Sequence, residues 1–194
     1  MTSETEGFEP RPGDALLLVD IQNDFLPGGA LAVAEGDAVI PVANRYLARF
    51  ERAGLPIYLT RDWHPADHCS FEANGGPWPP HCVQNTEGAA FADALQIPES
   101  AVVHSKAMDS DKEAYSDFDD ADFATRLRAA GVRRLFVMGL ATDYCVLETV
   151  KDARAAGFEV VVVTDGVRAV DVNPGDGARA LATMREAGAV LVAA

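Results

Sequence analysis

Apolar residues along the chain fall into six short runs, at 15–19, 55–60, 101–104, 135–138, 159–164 and 189–192. The runs are continuous rather than alternating, which predicts strands covered on both faces and therefore a parallel sheet. Between them the apolar positions recur three or four residues apart. One such stretch, 38–53, has Asp37 as cap, Val39, Val42, Ala43, Tyr46, Leu47 and Phe50 on its inner face, and Gly54 as stop. A second helix follows Asp119 or Asp120 and ends before Gly131, and a third covers 144–156 with Asp143 as N-cap. A fourth is opened by Pro174 and stopped by Gly188, and a short one is expected at 89–95. Strands alternating with helices predict an α/β fold: a doubly wound, mainly parallel six-stranded sheet with helices on both faces.

The remaining segments carry most of the polar chemistry. Residues 22–36 hold Pro27, Gly28 and Gly29 and read as an ordered loop bearing Phe25, Leu31 and Val33. Residues 61–87 form an irregular stretch too long for an ordinary connection, a length that is usually functional inside a compact domain. A further polar loop spans 107–118. With no linker or repeat, the chain divides into a polar tail, 1–13, and a single domain, 14–194. The formal net charge of −14 repels polyanions and argues against nucleic acid as a partner, leaving small uncharged or cationic ligands. No apolar run approaches membrane-spanning length. Three widely spaced cysteines and a polar start without an apolar core predict free thiols in a reducing cytoplasm. A homo-oligomer is compatible with all of this.

Ligands of an open parallel sheet bind beyond the carboxyl ends of its strands, where strand order reverses. Asp20, Asp62, Lys106 and Cys145 each follow a different predicted strand at that end, so they are expected to converge. Cys145 is read as a nucleophile at the start of a helix. The helix-end field favours thiolate by only about 0.3 to 1 kcal/mol, so a second group must help. An adjacent carboxylate raises a thiol pKa and an ammonium lowers it, so Asp20 serves as proton acceptor and Lys106 as the compensating charge. The loop after the second strand suggests a divalent metal. Asp62 and His64 stand two residues apart, and His81 can close the site from the far end of the loop. Mixed carboxylate and imidazole ligation suits zinc, iron(II) or manganese. His68 is either a fourth ligand or a residue on the rim.

These motifs, Val19-Asp-Ile-Gln-Asn-Asp-Phe25, Arg61-Asp-Trp-His64, Trp78-Pro-Pro-His-Cys82, Ser105-Lys106, Tyr115-Ser-Asp-Phe118 and Ala141-Thr-Asp-Tyr-Cys145, together resemble the nicotinamidases of the isochorismatase-like cysteine hydrolase superfamily. The resemblance implies an Asp20–Lys106–Cys145 triad and metal ligands Asp62, His64 and His81. It further implies an aromatic amide held between Phe25 and Trp78, with Leu31 and Tyr144 lining the pocket. A non-proline cis peptide is implied at Leu140–Ala141, and an oxyanion site formed by the amides of Ala141 and Cys145. The implied activity is metal-dependent hydrolysis of nicotinamide to nicotinate and ammonia through a cysteine thioester, serving NAD salvage. Another small-amide hydrolase of the superfamily, such as one acting on a carbamoylated amine, would keep the triad and lack the metal trio. A non-catalytic binding protein with a structural metal would not need the triad.

Overall fold

A computed structural model describes residues 9–193. The tail expected at 1–13 therefore lies partly outside the described residues. Six strands form one sheet: β1 (Asp14–Val19), β2 (Ile57–Asp62), β3 (Val102–Lys106), β4 (Arg134–Leu140), β5 (Glu159–Arg168) and β6 (Val190–Val192). Their order is β3-β2-β1-β4-β5-β6, and every pairing is parallel. The chain works outward from β1 to one edge, then crosses to β4 and works outward to the other. The reversal lies between β1 and β4, which pair from Asp14 with Arg134 to Val19 with Gly139.

The continuous apolar runs become the two central strands, in which all six residues of β1 and all seven of β4 are buried. Their lower end is closed by a buried ion pair in which Arg134 donates to both oxygens of Asp14, at 2.8 and 2.7 Å. Helix α1 (Val39–Arg52) lays Val39, Val42, Ala43, Tyr46, Leu47 and Phe50 across β1, β4 and β5. Its final turn carries Arg49 and Arg52, the charge sign that a helix C-terminus favours. Helix α2 (Ala121–Ala129) is capped by Asp120, whose side chain accepts from the Asp122 amide. Helices α3 (Leu147–Ala155) and α4 (Asp176–Glu186) pack against one another.

Three local expectations fail for identifiable reasons. Residues 89–95 form no α-helix; a single 3-10 turn, Glu87–Ala89, precedes an extended segment. That segment is tied to the first loop instead, with Asn23 donating to the Ala90 carbonyl and Ala92 to that of Ile21. The Asp37 side chain makes no capping bond; α1 is entered through a 3-10 turn, Gly36–Ala38. The helix after β4 starts later than its apolar spacing suggests, because Thr142–Val146 winds as a π-helical turn ahead of α3. Asp143 does not cap it. Its carboxylate reaches across to accept the amides of Val170 and Asp171, both at 2.9 Å.

Gly139 allows β4 to end where it does. Its φ is +130°, and a Cβ there would sit 2.0 Å from the Val19 carbonyl oxygen, so no other residue fits this close approach of two strands. The pairing of β4 with β5 slips at this point. Beyond it come the cis Leu140–Ala141 peptide and the turn that carries Cys145.

Candidate active site

The strand tips bring the expected groups together. Asp62 and Lys106 are register partners on β2 and β3. Asp20 follows β1 in a left-handed conformation, φ +49°. The Lys106 ammonium donates to Asp20 Oδ2 at 2.6 Å, to Asp62 Oδ1 through a very short contact, and to Cys145 Sγ at 3.5 Å. Asp20 is fully buried, and Lys106 and Cys145 are each 5% exposed. The Thr60 hydroxyl donates to the second Asp20 oxygen at 2.9 Å.

Burial decides the electrostatics of this cluster. It acts against the charge on Lys106, but the carboxylates of Asp20 and Asp62 outweigh it and hold the ammonium well above the usual lysine range. Burial likewise raises Asp20 above the ordinary carboxylate range, against the pull of Lys106. It pushes the Cys145 thiol well up, again opposed by Lys106. For Asp62 the balance reverses: burial raises it, yet Lys106 and His64 together hold it below the usual range. A thiol and a carboxylate that are both pushed upward beside one fixed cation form a pair between which a proton can pass.

Asp62, His64 and His81 place one ligand atom each within 4.8 Å of one another, all three residues buried. The donor chemistry fits a divalent cation. His64 Nδ1 faces the Ala107 carbonyl at 3.3 Å and His81 Nδ1 faces that of Pro79 at 2.8 Å. Rings held by Nδ1–H in this way present Nε2 lone pairs inward; His64 Nε2 lies 3.6 Å from Asp62 Oδ2. Burial lowers the His81 pKa, which keeps its ring in the neutral, ligating form. His68 stands outside this trio. Its ring lies 4.2 Å from that of His64, while its nitrogens engage Ser70 Oγ at 2.7 Å and the Lys112 carbonyl at 3.0 Å. It packs beside His64, with both ring nitrogens engaged away from Asp62 and His81.

A pocket opens onto Cys145 and two of the three candidate metal ligands, lined by Phe25, Leu31, Asp62, Trp78, His81, Tyr115, Ala141, Tyr144, Cys145 and Val170. Both faces suggested for a flat ring, Phe25 and Trp78, border it. The Trp78 indole donates to the Tyr115 hydroxyl at 3.0 Å and packs edge-on against Tyr144 at 5.1 Å. The amide of Cys82 donates to Asp24 at 2.7 Å, pinning the loop that carries His81 to the loop that carries Phe25. Gln22 fixes Asp62 by exchanging two hydrogen bonds with its backbone, both 2.8 Å.

Tyr115, Asp24 and Gln22 were absent from the sequence-derived site, although all three stand inside the motifs quoted for it. Thr60 sits within β2, where an isolated hydroxyl carries no pattern, and nothing in the local sequence marks Val170. The other two cysteines are free: Cys69 is half-buried and Cys82 is buried, with its thiol pushed well up by burial.

A doubly wound sheet with a buried thiol, carboxylate and ammonium at its switch point describes a hydrolase that works from the sheet's carboxyl edge. The chain belongs to the isochorismatase family: residues 14–194 match the isochorismatase domain. It is 43% identical over 201 aligned positions to the nicotinamidase of Escherichia coli, covering 93% of this chain and 94% of that protein. Among solved structures, the pyrazinamidase of Pyrococcus horikoshii in complex with zinc is 50% identical with a TM-score of 0.90, covering 94% of this chain and all of the other. PnC1 from L. infantum in complex with nicotinate is 38% identical with a TM-score of 0.85, covering 94% and 93%. No helix of the described residues is long and apolar enough to cross a membrane.

Proposed function

We propose that the chain hydrolyses nicotinamide to nicotinate and ammonia, with Cys145 as nucleophile, Asp20 as proton shuttle and a divalent cation held by Asp62, His64 and His81. The observation that carries this reading is a cavity that joins a thiol and two aromatic walls to Asp62 and His81, which with His64 form a two-imidazole, one-carboxylate cluster. The identity to nicotinamidases and to a zinc-bound pyrazinamidase supports it. The metal cluster also favours this substrate over a carbamoylated amine, because a neutral aromatic nitrogen matches a cation already held by two imidazoles and lies in the plane of the ring that Phe25 and Trp78 would flank.

The flat ring lies between Phe25 and Trp78, where aromatic contact and exclusion of water favour it. Asp62, His64 and His81 would hold a divalent cation, which would supply Lewis acidity toward the ring nitrogen; zinc, iron(II) and manganese all suit these donors. Cys145 gives its proton to Asp20, and its sulfur adds to the carboxamide carbon. Backbone amides of Ala141 and Cys145 stabilise the oxygen that gains charge. As the C–N bond breaks, Asp20 returns the proton to the nitrogen and ammonia leaves, with the acyl group held as a thioester. Water then adds to the thioester carbon, passing a proton to Asp20. The C–S bond breaks and that proton restores the thiol. Lys106 holds compensating charge beside sulfur and carboxylate throughout.

A panel of nicotinamide, pyrazinamide and an N-carbamoyl amine, followed by ammonia release before and after chelation, tests the reading. Turnover of the two aromatic amides that is lost on chelation is expected. Activity confined to the carbamoyl compound, or indifferent to complete metal removal, overturns it.

A further inference from the structure

A metal site next to a cysteine nucleophile carries a chemical hazard. A thiolate is itself a strong ligand for zinc and related ions, and a sulfur whose lone pair is committed to an ion is a poorer nucleophile. Among the described residues, two groups of three place one ligand atom each within 4.8 Å of one another. One is the histidine cluster, Asp62, His64 and His81. The other is Asp20, Asp62 and Cys145, all three buried, so Asp62 belongs to both.

The second group already surrounds a cation. Lys106 Nζ donates to Asp20 Oδ2 at 2.6 Å, to Asp62 Oδ1 through the short contact and to Cys145 Sγ at 3.5 Å. The two oxygens of Asp62 meet different partners: Oδ1 has the ammonium, and Oδ2 lies 3.6 Å from His64 Nε2. Asp20 is divided in the same way, its Oδ1 accepting from the Thr60 hydroxyl at 2.9 Å while Oδ2 faces the ammonium. A carboxylate shared between two cation positions is a feature of two-metal hydrolytic centres, whose ions stand about 3.5 to 4 Å apart. Here a side chain fills one of the two positions.

We propose that Asp20, Asp62 and Cys145 form a second divalent-cation site, joined to the histidine site through Asp62, and that Lys106 fills it with a fixed ammonium that keeps thiophilic ions off the nucleophile. An ammonium and a divalent ion satisfy the same carboxylate oxygens, but they treat sulfur differently. The ammonium donates a hydrogen bond, whereas an ion binds the sulfur lone pair directly. Lys106 is also tethered. As the register partner of Asp62 on the neighbouring strand, and 5% exposed, it cannot dissociate and exchange as a bound ion does. Methionine in its place removes the charge and leaves the ligand set, whose atoms need to close by less than about 1 Å to reach zinc-type bond lengths. Mixed carboxylate and thiolate ligation suits zinc and cobalt(II).

The inference rests on the reading of Asp62, His64 and His81 as a metal site, and the test separates the two. The full-length parent, Lys106→Met and the double variant Lys106→Met/Cys145→Ser are stripped by chelation and titrated with cobalt(II) under nitrogen. Elemental analysis gives the stoichiometry, and the thiolate-to-cobalt charge-transfer band in the near ultraviolet reports sulfur ligation. The parent takes one ion and shows no such band at any excess. Lys106→Met takes two and shows the band, which the double variant lacks. One ion and no band in Lys106→Met overturns the inference and leaves the histidine site standing, and a band in the parent overturns it too. A parent that takes no ion overturns the histidine site, and with it the shared Asp62.

Stability supplies a readout that does not require the stripped variant to be folded. Cobalt(II) at about a hundredfold excess over its dissociation constant raises the Tm of Lys106→Met by about 5 to 10 °C beyond its effect on the parent. If the stripped variant does not fold, refolding from denaturant succeeds only with the ion present. Equal shifts in the two proteins, or failure to refold both with and without cobalt(II), overturns the inference.

Discussion

Replacing Lys106 by Met keeps the stem of the side chain and removes its charge. Three contacts disappear together: those to Asp20 and Cys145, at 2.6 and 3.5 Å, and the short one to Asp62. Two carboxylates that are buried to the same degree as the core then lack their common cation. Removing one partner of a buried pair costs about 3 to 5 kcal/mol. For a chain of this size that corresponds to roughly 6 to 20 °C in Tm at neutral pH. The pH dependence has a definite sign. In the parent, Asp62 is depressed, so its stabilisation is present above the unfolded carboxylate range and is lost as pH falls through the lower folded value. Without Lys106 both carboxyls become raised groups, whose contribution is present at low pH and lost as pH rises. Melts of the chelated variant at pH 5 and pH 8 therefore show the smaller deficit at pH 5. Activity fails for a related reason: a protonated Asp20 cannot accept from sulfur, and loss of that transfer removes about 10² to 10⁴ in kcat. A variant melting within 2 °C of the parent at pH 8 and turning over within about threefold would refute the charge assignment.

Other expectations concern the cavity and the metal. Trp78→Ala opens one wall of the ring site and is expected to raise KM for nicotinamide by about ten- to a hundredfold, worth roughly 1.5 to 3 kcal/mol of lost burial, with little change in Tm because Trp78 is half-buried. Trp78→Phe keeps the wall, drops the bond to Tyr115, and should fall between the two in steady-state assays. His81→Ala removes one of three ligands and should weaken metal binding by at least about tenfold, the lower end of what loss of even a supporting residue costs. Metal titration followed by elemental analysis checks this, and retention of one tightly held ion would reassign the trio.

The sheet was legible because burial on both faces writes itself as unbroken apolar runs, as in Leu16 to Val19 and Leu135 to Met138. Convergence of Asp20, Asp62, Lys106 and Cys145 was legible for the same reason, since each follows such a run. What sequence spacing could not convey was the balance of burial against charge. The helix-end argument for Cys145 treats one local field, whereas the thiol's state depends on Lys106 and Asp20 arriving from other strands. Asp143 illustrates the limit in another way: an aspartate two residues before a helical cysteine has the spacing of a cap, yet two amides on a distant segment compete for it more successfully. The residues that hold the site without touching its centre, Gln22, Asp24 and Thr60, act through contacts 40 or 58 positions away, which no local pattern encodes.

The central claim is that the sulfur of Cys145 performs the chemistry in a metal-lined pocket. Its most direct test is nicotinate formation by Cys145→Ala, with metal content measured on the same preparation. The account predicts an unchanged metal load and no detectable product. A Cys145→Ala enzyme that keeps its metal and still forms nicotinate at the parent's rate would contradict it.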